Sequence, residues 1–277
     1  MRVQEITPVI GSEITELDLS QPLSKEVAAS LNALFVERLV LVFRDQRLSR
    51  DQHKAFARNF GDIHIHPSKR NGMNKDDPDV FIVDTKADAK FSNGEAWHSD
   101  VSCEEIPPAA SLLYVSKIPD NGGGDTMFAN MSCAFKELSD PMKQLLLDKD
   151  AYHDGEIDLL NYGIRLRGDQ TYPKATHPVI TKHPVSGEPI LFVNGSFTSH
   201  IEGLARWESD LILNGLHQFV ATNPRIQCRV RWTEGTLVMW DNRSAQHHAI
   251  RDYAGYARYG ERVSTVDGVR PMPYQAR

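Results

Sequence analysis

The chain has 277 residues, of which 40% are hydrophobic and 25% are charged, and its formal net charge is -6. A chain of this length and composition can bury a large core without disulfides or structural metals, so we expect any metal site to serve function. The net negative charge argues against a nucleic-acid partner bound by phosphate neutralisation, but it is compatible with a local cationic site for a small anion.

The first half of the chain combines short strand patterns with two helix patterns. The segment 24–39 predicts a helix, because its apolar residues recur with helical spacing behind Ser24, a favourable N-cap residue. A second helix is predicted over 49–59, and residues 86–96 predict an exposed loop. Strands are predicted at 3–10, 12–18, 39–43, 79–85 and 110–116.

The second half returns to strands after a helical stretch. Helices are predicted over 131–149, with an interruption near 139–141, and over 207–221, whereas the polar segment 150–176 is interpreted as irregular. Further strands are predicted at 177–183, 189–194, 227–232, 236–241 and 262–269. Many short strands without regular βαβ alternation favour a mainly β fold with flanking helices, built as a barrel or sandwich. No linker divides the chain, so we expect one domain over 1–277.

The sequence predicts a cytoplasmic protein without a membrane partner. The N-terminus lacks a basic segment followed by an apolar core, and no run of eighteen apolar residues occurs. The three cysteines, Cys103, Cys133 and Cys228, form no C-x-x-C pair. We therefore expect free thiols in a reducing compartment, and neither a disulfide framework nor a zinc–thiolate site.

Three features of the sequence together predict a metal centre. His98 and Asp100 are two residues apart, so in an extended segment they project to the same face. His247 lies in a distant polar motif, and Arg258 follows it by eleven residues. Two imidazoles and one carboxylate form a facial triad that leaves positions of an octahedral iron(II) open, and an arginine nearby suits a carboxylate ligand.

Other histidines are possible rivals for these positions. His64 and His66 form a second H-x-H pair, whose only carboxylate at comparable spacing is Asp62. His247 and His248 are adjacent, so in a strand they point to opposite faces and only one can bind the metal. We choose His247, which leaves His248 as a neighbouring or supporting group.

The chain resembles the taurine dioxygenase family (TauD/TfdA-like) over nearly its whole length. The family also includes 2,4-dichlorophenoxyacetate dioxygenase and alkylsulfatase relatives, and the agreement is collinear. The matching segments are LVFRDQ, FGDIHIHP, WHSDVS, PPAASLL, GGDT, HPVSG, LFVN and WDNRSAQHHA.

The resemblance implies a fold and a chemistry. The fold would be a double-stranded β-helix, the jelly-roll core of cupin-like proteins. The enzyme would be a dioxygenase that uses iron(II), 2-oxoglutarate and O2, hydroxylates an organic acid, and releases succinate and CO2. Asp100 favours hydroxylation over halogenation, because related halogenases lack this carboxylate. Family members are often homodimers or homotetramers, so a homo-oligomer is expected.

The resemblance also assigns roles to individual residues. It implies that His98, Asp100 and His247 bind the metal and that Thr126 and Arg258 bind 2-oxoglutarate. It further implies that the substrate contacts His66, Phe197 and Arg262.

The expected substrate is a sulfonate, a sulfate ester or a carboxylate. The chain nevertheless departs from taurine dioxygenase at Lys69, Gly94 and Cys103, where that enzyme has tyrosine, asparagine and phenylalanine. These changes remove ring walls and an amide donor, so we expect a substrate other than taurine, larger or differently shaped. Lys69 could supply a second positive contact or extend to solvent.

Other functions remain compatible with parts of the pattern. The same iron centre could desaturate its substrate or cleave a C–X bond. A zinc hydrolase could use His98, Asp100 and His247, but hydrolysis gives no role to Arg258 and Thr126. A non-catalytic binding protein would be expected to lack part of this set.

Overall fold

Strands provide most of the framework in the computed structural model, which describes residues 1–70, 72, 77–90 and 94–275. The strands are β1 Arg2–Glu5, β2 Ser12–Thr15, β3 Val40–Phe43, β4 Asp62–Ile63, β5 Phe81–Thr85, β6 Ala110–Lys117, β7 Thr126–Asn130, β8 Asp150–Asp154, β9 Lys174–Pro178, β10 Ile180–Lys182, β11 Pro189–Leu191, β12 Thr198–Ile201, β13 Gln227–Val230, β14 Thr236–Asp241, β15 Ala245–Ala249, β16 Arg258–Val266 and β17 Met272–Pro273. The predicted class, mainly β with flanking helices, is confirmed.

Helices flank these strands. They are α1 Lys25–Arg38, α2 Arg50–Ala57, α3 Pro67–Arg70, α4 Met131–Glu137, α5 Asp140–Leu147, α6 Gly155–Asn161 and α7 Arg206–Ala221. Ser24 caps α1 as predicted, because its side chain accepts a hydrogen bond from the Val27 backbone. The predicted interruption of the 131–149 helix is also present, since Leu138 and Ser139 separate α4 from α5. None of the described helices is both long and apolar enough to cross a membrane.

Two sheets face each other and share a hydrophobic core. The larger has the strand order β1-β2-β3-β14-β6-β16-β4, with β5 also paired to β16, and a smaller sheet has the order β13-β7-β15. Their facing surfaces share one core cluster, in which Val42 and Trp240 of the larger sheet pack with Phe128 and Cys228 of the smaller one. The other face of the larger sheet packs against α1 and α2 through a second cluster, which includes Leu41 and Phe43.

The strand β3 shows why its sequence is entirely apolar. Successive side chains of a strand point to opposite faces, so Val40 and Val42 enter the core between the sheets. Leu41 and Phe43 enter the core beneath the helices. A strand covered on both faces has no polar alternation, which explains the compact run that predicted it.

The prediction that 150–176 is irregular is wrong. β8 and β9 pair in antiparallel register within this segment, and Asp154 caps α6 by accepting a hydrogen bond from the Glu156 backbone. Two of the buried positions carry polar rings: His153 is hydrogen bonded to Ser102 Oγ, and His177 to the backbone oxygen of Glu104. Because inward positions are polar, the strands lack the apolar alternation on which sequence-based prediction depends.

A glycine turn before β14 offers a test of the fold. Gly235 has φ +75°, and a Cβ there would lie 2.6 Å from the Gln46 backbone oxygen. We expect Gly235→Ala to lower the free energy of unfolding by about 1–3 kcal/mol, because it adds backbone strain and a clash. Chemical denaturation measures the change.

The matched control is Gly215→Ala in α7. A Cβ at Gly215 meets nothing within 4 Å, so alanine should raise the free energy of unfolding by about 0.5–1 kcal/mol. Equal effects of the two substitutions would contradict the strain attributed to Gly235.

Candidate metal centre

The two imidazoles of the predicted triad are brought together by backbone pairing. His98 and His247 form an antiparallel β-bridge, in which each backbone N–H donates to the other residue's carbonyl, at 3.0 and 2.8 Å. Directly opposed residues project to the same face, and the two ring centroids lie 4.0 Å apart. The bridge thereby aligns His98, which lies in a connecting segment, with His247 in β15, far away in the chain.

The carboxylate is fixed through its own backbone. The Asp100 N–H donates to Asn242 Oδ1 at 2.6 Å, and Asn242 Nδ2 donates back to the Asp100 carbonyl at 2.9 Å. Ser111 Oγ donates to Asp100 Oδ2 at 2.7 Å. These bonds direct Oδ1 toward the imidazoles, 3.7 Å from His98 Nε2 and 3.9 Å from His247 Nε2.

These three side chains fit a single metal ion. One ligand atom from each of His98, Asp100 and His247 lies within 4.8 Å of the others, and all three residues are buried. No other group of three His, Cys, Asp or Glu residues in the described part of the chain meets this spacing. His98 Nδ1 lies 2.8 Å from the Ala96 carbonyl, which can only accept, so Nδ1 carries the proton and Nε2 keeps its lone pair for a metal.

The electrostatics of the three ligands are coupled. Burial would raise the pKa of Asp100, but the neighbouring Arg262 guanidinium and His247 hold it well below its usual range. Burial also lowers the pKa of His247 well below that of a free imidazole, and the nearby His98 lowers it further. For His98, burial is outweighed by its hydrogen bond and attraction to Asp100, so its pKa is raised. The site therefore contains an ionised carboxylate beside an imidazole that stays neutral.

The predicted substrate residues Arg262 and His66 lie on one side of this centre. The Arg262 Nη1 donates a hydrogen bond to Asp100 Oδ1. The Arg262 guanidinium carbon lies 4.8 Å from the centroid of the Phe81 ring, and the His66 ring lies 4.6 Å from the same centroid. Phe197 is buried, with its ring centroid 6.5 Å from that of His98.

The predicted 2-oxoglutarate residues lie in a pocket that also contains the candidate metal ligands His98 and His247. Thr126 and Arg258 line it together with His98, His247 and Arg262. The Arg258 guanidinium carbon lies 5.2 Å from the centroid of the Trp232 ring.

Trp232 links the two predicted 2-oxoglutarate residues, because its Nε1 donates to Thr126 Oγ1 at 3.0 Å. Gly124 packs closely against Arg258, because a Cβ at this position would lie 3.2 Å from Arg258 Cδ and would require that side chain to shift slightly.

Arg258 is a buried cation without an anionic partner. It is 4% exposed, its Nε has no hydrogen-bond partner, and it forms no ion pair among the described residues. Burial lowers the pKa of Arg258 from its ordinary value. An unpaired guanidinium in a buried site is costly, so its surroundings suit an anionic ligand.

The rival histidines are used elsewhere. His64 Nε2 lies 2.7 Å from Glu104 Oε2, and Arg70 pairs with the same carboxylate. His66 Nδ1 lies 2.7 Å from Ser68 Oγ, so the two histidines contact different groups. His248 points away from His247 and stacks on Trp97 with ring centroids 5.6 Å apart.

Sequence reasoning missed three residues that surround the site. Asn242 and Ser111 hold Asp100 and occur within motifs that were recognised for other reasons. Asp158 lies in the segment that the sequence predicts to be irregular. Its carboxylate accepts a hydrogen bond from Ser196, and burial raises its pKa while the charge of His98 opposes that shift. No periodicity or motif in the sequence could have indicated that Asp158 lies near His98.

Comparison with known proteins gives consistent results. A family model described as "Taurine catabolism dioxygenase TauD, TfdA family" matches residues 2–264. An α-ketoglutarate-dependent sulfonate dioxygenase of Saccharomyces cerevisiae is 33% identical over 91% of this chain, which spans only 63% of that protein's length. An α-ketoglutarate-dependent sulfate ester dioxygenase of Pseudomonas putida is 30% identical over 98% of this chain and 90% of its own.

A solved structure extends the likeness. The crystal structure of AAD-2 in complex with Mn(II) and N-oxalylglycine superposes with a TM-score of 0.81. It is 26% identical in sequence, and the match covers 98% of this chain and 99% of that one.

The metal assignment can be tested without activity. We expect Mn(II) to stabilise the wild-type protein by about 2.7 kcal/mol at a hundredfold excess over its dissociation constant, and His98→Ala to lose this stabilisation. Thermal unfolding with and without Mn(II) measures it. The control is His200→Ala, whose ring lies outside the triad and should leave the metal effect unchanged. Full stabilisation of the His98 variant would contradict the assignment.

Proposed function

Since the chain belongs to the TauD, TfdA family, we propose that it hydroxylates a small anionic organic substrate, a sulfonate, a sulfate ester or a carboxylate, and releases succinate and CO2. Its class follows from the family: it is a 2-oxoglutarate-dependent dioxygenase that works with iron(II), 2-oxoglutarate and O2. The observation that carries the proposal is the unpaired, buried Arg258 beside a His-Asp-His cluster.

We propose that residues 1–277 form a single domain with a double-stranded β-helix core. The two facing sheets support this arrangement, since their shared core cluster lies between them and the candidate metal ligands lie at its edge. Such a core is rigid, and a rigid support keeps ligands at the separation that a metal requires.

His98, Asp100 and His247 would hold the iron. When bound there, iron(II) supplies the activation of O2, which protein side chains cannot perform. Three ligands on one face leave the remaining positions for small molecules. The protein's contribution is orientation: the β-bridge fixes both histidines, and Asn242 and Ser111 fix the carboxylate.

Arg258 and Thr126 would bind the distal carboxylate of 2-oxoglutarate. Arg258 offers a planar, permanently charged set of donors, which suits a carboxylate. Thr126 Oγ1 already accepts a hydrogen bond from Trp232 Nε1, so its own hydroxyl proton remains available for donation. The Trp232 ring covers the guanidinium and shields this contact from water.

Arg262, His66 and Phe197 would bind the substrate. The backbone N–H of Ser68 donates to His66 Nδ1, so the proton of the neutral ring lies on Nε2. Burial and the charge of Arg262 keep the pKa of His66 well below that of a free imidazole. An N–H donor beside a guanidinium suits an acidic group, while Phe197 supplies an apolar wall next to His98.

The reaction is tested by succinate formation from a panel of sulfonates, sulfate esters, aryloxy acids and amino acids. We expect iron(II), 2-oxoglutarate and at least one anionic member to give substrate-dependent succinate. Absence of succinate with every anionic compound, despite bound iron and 2-oxoglutarate, would contradict the proposed substrate class.

The co-substrate site is tested by Arg258→Ala. Loss of a charge-assisted hydrogen-bonding partner should weaken binding of N-oxalylglycine by about tenfold or more in the Mn(II)-loaded protein. Calorimetric titration measures the affinity, and unchanged Mn(II) affinity shows that the metal centre is intact. The control is Arg206→Ala, an exposed arginine of α7 paired with Asp210. Wild-type affinity for N-oxalylglycine in the Arg258 variant would contradict the assignment of Arg258 to the co-substrate site.

The substrate site is tested by Arg262→Ala. We expect the KM of the best anionic substrate to rise about tenfold or more, because a charged hydrogen-bond donor is lost. Substrate-independent turnover of 2-oxoglutarate should persist, and Mn(II) affinity is measured in parallel because Arg262 contacts Asp100. A KM equal to that of the wild type would remove Arg262 from the substrate site.

A further inference from the structure

Val101, the residue after the candidate ligand Asp100, has a strained backbone. Its φ is +50°, in the left-handed region that disfavours a β-branched side chain. The other non-glycine residues with positive φ in the described part of the chain are not β-branched; they are Glu16, Leu39 and Asp45. A β-branched residue persists in such a conformation only where its surroundings enforce it. The contacts on both sides of Val101 therefore identify what holds it.

The Asn242 side chain holds the peptide group that joins Asp100 to Val101. Its Nδ2 donates to the Asp100 carbonyl at 2.9 Å, and its Oδ1 accepts from the Asp100 N–H at 2.6 Å. Asn242 is itself fixed, because its Nδ2 also donates to the Pro108 carbonyl and its N–H donates to the Ala109 carbonyl. Since a peptide group is planar, relaxing φ at Val101 must rotate either this whole group or the chain that follows.

The chain that follows Val101 is held as well. The Val101 carbonyl accepts a hydrogen bond from the Glu104 N–H at 3.0 Å. Ser102 Oγ accepts a hydrogen bond from Asn194 Nδ2 at 2.8 Å. Because this side is fixed, relaxation of Val101 would rotate the peptide group on the side of Asp100 and turn its carboxylate away from the imidazoles.

The Val101 side chain explains why a valine occupies this position. It is buried in an apolar cluster that also contains Phe197 and Cys103. Glycine and asparagine adopt a positive φ more readily than valine, but glycine has no side chain and asparagine is polar, so neither would fill an apolar cluster. The valine therefore retains the packing beside Phe197, and backbone strain accompanies it.

We propose that Val101 is a positioning residue of the metal centre: its left-handed backbone turns the Asp100 carboxylate toward the two imidazoles, and Asn242 holds that conformation against its strain. This inference rests on the proposed function, because that function assigns Asp100 to the metal. It deepens the function, since it identifies a pair of residues on which the direction of the carboxylate ligand depends.

A double-mutant cycle on Mn(II) affinity tests the coupling between the two residues. Calorimetric titration is applied to the wild type, Asn242→Ala, Val101→Gly and the double variant, each at a temperature where circular dichroism shows a folded protein. Asn242→Ala should weaken Mn(II) binding by about 10–100-fold, because the strained backbone relaxes and Asp100 turns away. Glycine adopts a positive φ without strain, so this loss should be smaller by about fivefold or more in the Val101→Gly background.

The control is Glu16→Gly, which relieves a positive φ at an exposed residue just after β2. In the Glu16→Gly background, Asn242→Ala should weaken Mn(II) binding as much as it does in the wild type. The cycle also separates positioning from general support of the fold. A residue that only supports the fold would lower the unfolding midpoint when replaced, without changing the effect of Asn242→Ala on metal affinity.

Two results would overturn the proposal: wild-type Mn(II) affinity in Asn242→Ala, or an equal or larger effect of Asn242→Ala in the Val101→Gly background. The proposed function fails separately. If the wild type binds Mn(II) and His98→Ala abolishes that binding, but the cycle shows no coupling, only the role of Val101 is lost. If the wild type binds no Mn(II), the metal centre is lost, and with it the function proposed from that centre.

Discussion

Two backbone hydrogen bonds between His98 and His247 connect parts of the chain that are far apart in sequence, and the whole site depends on them. They align a loop residue with β15, so that both imidazoles face the same point. Asn242 then holds the backbone of Asp100 in the same frame. The metal ligands are thus positioned by main-chain pairing, which is stiffer than side-chain packing alone and supports a fixed ligand geometry.

Around this centre, the buried carboxylate has a cationic partner, whereas a buried cation has no anionic partner. Asp100 is buried and ionised, and Arg262 compensates it from one side. Arg258 on another wall has no carboxylate partner in the described part of the chain. Burial makes this unpaired cation expensive, and the natural compensation is an anionic ligand. The chain is acidic overall, yet its pocket is cationic, which agrees with the expectation that the net charge of -6 says little about a local site.

Much of the site could be predicted from sequence because its residues lie in short motifs. His98 and Asp100 are two positions apart, and His247 and Arg258 lie at a spacing that the family resemblance makes specific. The strands β3 and β14 could also be predicted from the sequence, since both contain apolar runs that are buried on both faces. These are the features for which local pattern and tertiary environment agree.

Other features could not be predicted from the sequence, for physical reasons. β8 and β9 carry buried polar rings, so their inward positions do not look apolar. Asp158 approaches His98 only through the placement of α6, which no local pattern encodes. For Lys69 the sequence allowed two conformations, one reaching solvent and one facing the pocket. In the structure its ammonium is buried, so it does not reach solvent.

His98, Asp100 and His247 are expected to bind one metal ion. Anomalous X-ray diffraction from crystals grown with Mn(II) tests it directly. A single strong anomalous peak is expected about 2 Å from His98 Nε2, His247 Nε2 and Asp100 Oδ1. A peak beside His64 and His66, or one that contacts fewer than two of the three predicted ligands, would contradict it.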